Sequence, residues 1–108
     1  MKVVEKDRHI QGMLQEELKR CRDLVISLRK EISNLPKGSV HKREKQYQGK
    51  KYVYHYLKYR QGGKSISKHL PEKDLEEYIQ RLQARKQYEK EMNFYDARIR
   101  YLEKIAQA

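Results

Sequence analysis

The chain has a single cysteine, Cys21, so no disulfide can close within it and a reducing compartment is expected. Its longest aliphatic run, Leu24-Val25-Ile26, is far too short to span a membrane. The opening residues, Met1-Lys2-Val3-Val4-Glu5-Lys6-Asp7, put acids where a secretion signal needs an apolar stretch. These absences predict a soluble, cytoplasmic protein. Apolar residues are scarce as well, at 37% of 108 positions, and nine of them are tyrosines that tolerate water. That excludes a wide buried core and fits one modest domain over residues 1–108.

Catalytic signatures are also lacking. There is no glycine-rich phosphate loop, no nucleophile elbow and no His-Glu helix motif of a metalloprotease. The acid pairs Glu16-Glu17 and Glu76-Glu77 are adjacent in sequence, so on helices their side chains diverge into solvent. No enzyme activity and no cofactor are expected. The sequence shows neither an internal repeat nor a low-complexity tract.

What is present divides into three segments. In the first, Leu14, Leu18, Cys21, Val25, Leu28, Ile32 and Leu35 alternate steps of four and three, the seam of a heptad helix. Glu, Lys and Arg fill the positions between, all good helix formers. A helix is predicted over 3–35, stopping before Pro36, with its early turns weakened by Gly12. Cys21 falls on the seam, where a thiol behaves as a small hydrophobe.

The last segment opens at Pro71, suited to a first helical turn, with Glu72 and Asp74 near the positive end of the helix dipole. Leu75, Tyr78, Ile79 and Leu82 form one stripe. After a phase slip at Arg85, Tyr88, Met92, Tyr95, Ile99, Leu102 and Ala106 form another. One helix is predicted over 71–107. The two seams can close on each other as an antiparallel hairpin or pair with a second copy of the chain.

Residues 37–70 read differently. Gly38, Gln48-Gly49, Gly62-Gly63 and Pro71 punctuate runs rich in Tyr, Val, Ile and Ser. This predicts a three-stranded antiparallel meander at about 39–47, 51–60 and 64–70. On the second strand, alternation puts Val53, His55, Leu57 and Tyr59 on one side. Tyr52, Tyr54, Tyr56, Lys58 and Arg60 take the other. Val40, Ile66 and Leu70 are expected to join Val53 and Leu57 against the helices. The fold class is therefore α+β: long helix, β-meander, long helix.

Charge is segregated among these segments. The chain carries 26 Lys and Arg against 15 Asp and Glu, a net +11. Residues 37–70 hold ten of the basic residues and one acid, Glu44, while the flanking segments are nearly balanced. Such density costs stability through repulsion across a small sheet, so an external polyanion is the expected partner. Lys42, Arg43, Lys45, Lys50, Lys51, Lys58, Arg60, Lys64 and Lys68 are candidates for phosphate contact. Tyr52, Tyr54 and Tyr56 are candidates for sugar or base contact. The plainer use of these residues is that lysines guard sheet edges and tyrosines favour strands. Neither helix joins a basic face to a broad aromatic one, so a membrane surface is not the expected partner.

His41, His55 and His69 are spaced by fourteen, one per predicted strand. Three-residue turns would align them across the sheet as a metal site, and a slip of one residue would destroy it. With no Cys or acidic fourth ligand beside them, the expectation is that they add donors to the basic surface, and no metal is expected.

Lys37-Gly38-Ser39-Val40, Tyr52-Val53-Tyr54-His55-Tyr56-Leu57-Lys58-Tyr59-Arg60 and Gly63-Lys64-Ser65-Ile66-Ser67-Lys68 carry a resemblance. With the charged helix that follows, residues 35–90 resemble a family of short basic proteins from bacterial and archaeal mobile elements. Those proteins share a Gly-Ser start, a YxYxYLxYR strand and a GGKxxSK strand. The resemblance implies a mobile-element or phage context and no particular activity. By architecture alone, a basic three-stranded sheet followed by a helix is similar to the arm-binding domains of tyrosine recombinases, which dock in a DNA groove. The long leading helix and the extended trailing one depart from that pattern and suggest a free-standing or dimeric protein.

The expected function is thus nucleic-acid binding, to DNA or RNA, by the basic sheet. The alternative is a protein-binding inhibitor that meets an acidic or nucleoprotein partner, such as an anti-CRISPR acting on an RNA-guided nuclease or its guide RNA.

Overall fold

A computed structural model describes residues 8–107. The element order is α1 (Arg8–Ser33), β1 (Ser39–Tyr47), β2 (Lys50–Gln61), β3 (Lys64–Leu70) and α2 (Glu72–Gln107). The class is α+β, as the hydrophobic periods imply. Positions 3–7 of the expected first helix lie outside the described residues. α1 runs unbroken through Gly12 and ends at Ser33, two residues short of the predicted limit. Leu35 precedes Pro36, whose ring disfavours a helical residue before it. The Ser33 hydroxyl donates to the Lys30 carbonyl at 2.7 Å, satisfying one acceptor of the last turn. No helix among the described residues is long and apolar enough to cross a membrane.

The described residues divide into two compact units, one of residues 8–33 with 87–107 and one of residues 34–86. In the first, the helices pack against each other as a hairpin. Leu18, Cys21 and Leu102 form its buried centre, with Leu14, Tyr95, Ile99 and Ala106 around them. These are seam positions of both helices, and they pack on one another within the chain. Each fully buried aliphatic side chain contributes roughly 1.5–3 kcal/mol. Charges border this seam: Arg22 donates to Glu103 at 3.0 Å, and Arg98 donates to Glu17 at 3.2 Å. Arg20, one turn along α1, binds Glu17 through two nitrogens and lies 6.0 Å from the centre of the Tyr95 ring.

Cys21 is fully buried, and burial pushes its thiol pKa up. Its Sγ donates to Glu17 Oε1 at 3.5 Å, so it belongs to the core and not to a reactive site.

In the second unit the sheet order is β1-β2-β3, antiparallel throughout. Both turns have two residues, closing on the pairs Tyr47–Lys50 and Gln61–Lys64. Gln48, Gly49, Gly62 and Gly63 all have positive φ, the backbone that matches the twist of the strands they join. Gln48, at φ 51°, is the strained member, since a side chain with Cβ disfavours that region. Before β1, Gly38 sits at φ 125°, and a Cβ there would meet the Lys58 carbonyl oxygen at 2.5 Å. The chain crosses too close to β2 at this point for any other residue.

Leu57, Leu70 and Leu82 are the buried apolar residues of this unit, and Val40 and Ile66 are half-buried. Val53 departs from expectation at 49% exposed. It pairs with Glu44 beyond the end of β3, where β1 and β2 continue as a bare ribbon. α2 begins directly after Pro71, whose carbonyl accepts the Asp74 amide at 3.0 Å. At the phase slip, Arg85 reaches from α2 to donate to the Leu35 carbonyl at 2.8 Å. The break in the apolar stripe thus holds a polar anchor for the segment leading into β1.

Two outcomes are expected of stability measurements. Gly38→Ala combines strained φ with a backbone clash, and should cost about 1–3 kcal/mol in urea denaturation. An unchanged midpoint would contradict the close approach. Glu17 is held at a pKa of about 2 in place of 4.5, chiefly by its hydrogen bond to Arg20. Its stabilising contribution is complete above pH 4.5, the unfolded value, and disappears as pH falls toward about 2. Glu17→Gln should therefore lower the neutral-pH melting temperature, with the gap to the parent protein closing in acid. A gap independent of pH would show that the charge of Glu17 is not what stabilises the hairpin.

Candidate nucleic-acid interface

Side chains of cross-strand partners project from the same side of a sheet, so the register sorts every strand residue onto one of two faces. One face carries Arg43, Lys45 and Tyr47 from β1, and Lys50, Tyr52, Tyr54, Tyr56, Lys58 and Arg60 from β2. Ser65, Ser67 and His69 of β3 and Ser39 and His41 of β1 complete it. The opposite face carries Leu57 and Leu70, the two buried residues of the sheet, with Val40, Val53, His55, Tyr59 and Ile66. The tyrosine face is the open one.

This division splits the twelve sequence-predicted site residues. Arg43, Lys45, Lys50, Tyr52, Tyr54, Tyr56, Lys58 and Arg60 are brought together on the tyrosine face. Lys42, Lys51, Lys64 and Lys68 fall on the leucine face, together with the lone acid Glu44. The tyrosine face holds five cations and no carboxylate.

The histidines do not align. Two-residue turns set His41 opposite Tyr56, and Tyr56 opposite His69, while His55 pairs with Lys42 and Leu70 on the other face. The three-histidine row needed turns one residue longer. No cluster of His, Cys, Asp or Glu suited to a metal occurs among the described residues. His41 and His69 instead flank Tyr56 on the open face, and His55 lies on the other.

Within the tyrosine face the rings differ in availability. His41 stacks on Tyr56 at 5.4 Å between centroids with planes 22° apart, and its Nε2 is hydrogen-bonded to the Ser39 hydroxyl at 2.8 Å. The Arg43 guanidinium stands 5.5 Å from the centre of the same ring. Hydrogen bonding to Tyr54, with the nearby Tyr54 and Tyr56 oxygens, pushes the Arg43 pKa further above its usual value. His69 lies tilted against Tyr54, with centroids 6.4 Å apart. Tyr54 and Tyr56 are thus half-buried among polar neighbours. Tyr47 and Tyr52, near the ribbon tip, are 64% and 50% exposed. They are diagonal neighbours, because Tyr47 pairs with Lys50 and Tyr52 lies two residues farther along β2.

A cleft of about 220 Å³ opens on this face, lined by Arg43, Tyr54, Tyr56, Lys58, Ser67 and His69. A second hollow of about 310 Å³, at the end of β3, is lined by Val53, Tyr54, His55, His69, Leu70 and Glu72. Sequence reasoning had not placed Tyr47 and Ser67 in the site. The signal for both was the pair of dipeptides Gln48-Gly49 and Gly62-Gly63, which specify two-residue turns and hence the register. No family model, no curated protein and no solved structure matches the chain.

Ring exposure is open to direct test. Tetranitromethane should nitrate Tyr47 and Tyr52 ahead of Tyr54 and Tyr56, as read by peptide mass spectrometry. Nitration of Tyr54 or Tyr56 first would mean that the packing of His41, Arg43 and His69 around them does not persist in solution.

Proposed function

We propose that the chain binds nucleic acid through the tyrosine face, as a small cytoplasmic accessory protein of a mobile element or phage. The observation that carries this reading is the open face that gathers Arg43, Lys45, Lys50, Lys58 and Arg60 around Tyr47, Tyr52, Tyr54 and Tyr56 with no carboxylate among them. Cations so arranged neutralise phosphates and release counterions, while exposed rings such as Tyr47 and Tyr52 offer surfaces to bases or sugars. The leucine face is unsuited to the same task, since its apolar residues are partly buried and Glu44 interrupts its lysines. The bare β1–β2 ribbon, five residue pairs from Arg43–Tyr54 to Tyr47–Lys50, adds a part that solvent reaches from both sides. At about 3.4 Å per residue it extends roughly 15 Å past β3, enough to enter a duplex groove or lie along a strand. The mobile-element setting rests on the sequence resemblance alone.

Fluorescence anisotropy against duplex DNA, single-stranded DNA and structured RNA across a salt series tests the proposal. Engagement of all five cations predicts a log–log salt slope of about −4.5 on duplex and about −3.5 on single strands. Replacing Lys45, Lys50, Lys58 and Arg60 with Gln should weaken binding by about 10- to 100-fold at moderate salt. The matched variant with Lys42, Lys51, Lys64 and Lys68 replaced removes the same charge from the other face and should cost only about threefold. Equal losses would detach the function from the tyrosine face. No binding to any of the three at low salt would end the proposal.

A further inference from the structure

We infer that the cleft on the tyrosine face receives the terminal phosphomonoester of a nucleic-acid strand, an assignment that rests on the nucleic-acid reading and deepens it. The six lining residues, Arg43, Tyr54, Tyr56, Lys58, Ser67 and His69, come from all three strands, and each carries an N–H or O–H group. None is a carboxylate. A cleft furnished with donors and two permanent cations is complementary to a compact, acceptor-rich anion.

Size and charge narrow the choice. A volume of about 220 Å³ accommodates a phosphate with part of its sugar. A terminal monoester carries about −1.5 to −2 at neutral pH and three strong acceptor oxygens, whereas a backbone diester carries a single charge. Arg43 and Lys58 balance the monoester. The Arg43 guanidinium offers a planar fork for two phosphate oxygens, and Lys58 adds a point charge. Ser67 and His69, adjacent on one face of β3, supply further donors for the third oxygen.

The rings in the cleft are arranged for the anion and not for a base. Tyr56 has His41 stacked on it and Arg43 at 5.5 Å, so its ring is already engaged within the protein. Those contacts also hold Arg43 in place before any ligand arrives, which lowers the entropy lost on binding. The accessible rings are outside the cleft, on the ribbon. Tyr52 is two residues from Tyr54, about 7 Å along β2, a separation that suits a terminal phosphate in the cleft with its own or the next base on Tyr52.

The test compares otherwise identical labelled single strands ending in a phosphate or a hydroxyl, at the 5′ end and then at the 3′ end, as DNA and as RNA, with the full chain. One phosphorylated end should bind about tenfold tighter than its hydroxyl counterpart, a difference of about 1.4 kcal/mol. Ser67→Ala with His69→Gln should bring that ratio toward one. Lys50→Gln, on the ribbon, should weaken both strands by the same factor and leave the ratio intact. A parent protein that binds both strands equally overturns the terminal-phosphate assignment and leaves nucleic-acid binding standing. Failure to bind any strand overturns both.

Discussion

The turn geometry is the constraint on which the site depends. Gln48-Gly49 and Gly62-Gly63 hold the chain at positive φ over two residues each, and that length sets the pairing of every residue in three strands. Pairing decides face, and face decides which charges act together. Through the turns, a set of nine strand cations becomes five on an open surface and four on the side that also carries the buried leucines. Gly38 belongs to the same constraint, because the chain can enter β1 at that register only by passing against the Lys58 carbonyl.

The helical unit is held by other means. Leu18, Cys21 and Leu102 are buried at its centre, and ion pairs from Glu17 and Glu103 cross from one helix to the other. Its charges are nearly balanced, so it adds little to the field that a polyanion would meet.

Much of this was legible in advance. The alternating steps of four and three from Leu14 to Ile32 named the buried face of α1 residue by residue, because burial on a helix follows a period the sequence displays. Alternation on β2 was equally readable, but the strand, expected at about 51–60, runs one residue farther at each end, Lys50–Gln61, because its turns are shorter. The site was read less well, since twelve residues were grouped by proximity in sequence, and a sheet sorts neighbours to opposite sides. Val53 was misjudged for a related reason: its pattern is that of a core residue, but cover depends on how far β3 extends beside it. The cleft could not be read at all, because it is made by three strands together.

Beta pairing also implies an asymmetry in how this sheet tolerates change. Most positions on the open face are solvent-exposed, so replacing one side chain leaves the backbone ladder as it was. Gain or loss of one residue inside β2 is a different kind of event. Between Tyr54 and Tyr56, for example, it would reverse the side taken by Lys58 and Arg60 relative to Arg43 and Lys45, leaving each half of the strand regular and the cleft divided. The count of residues between the two glycine turns is therefore held more tightly than the identity of almost any residue within it.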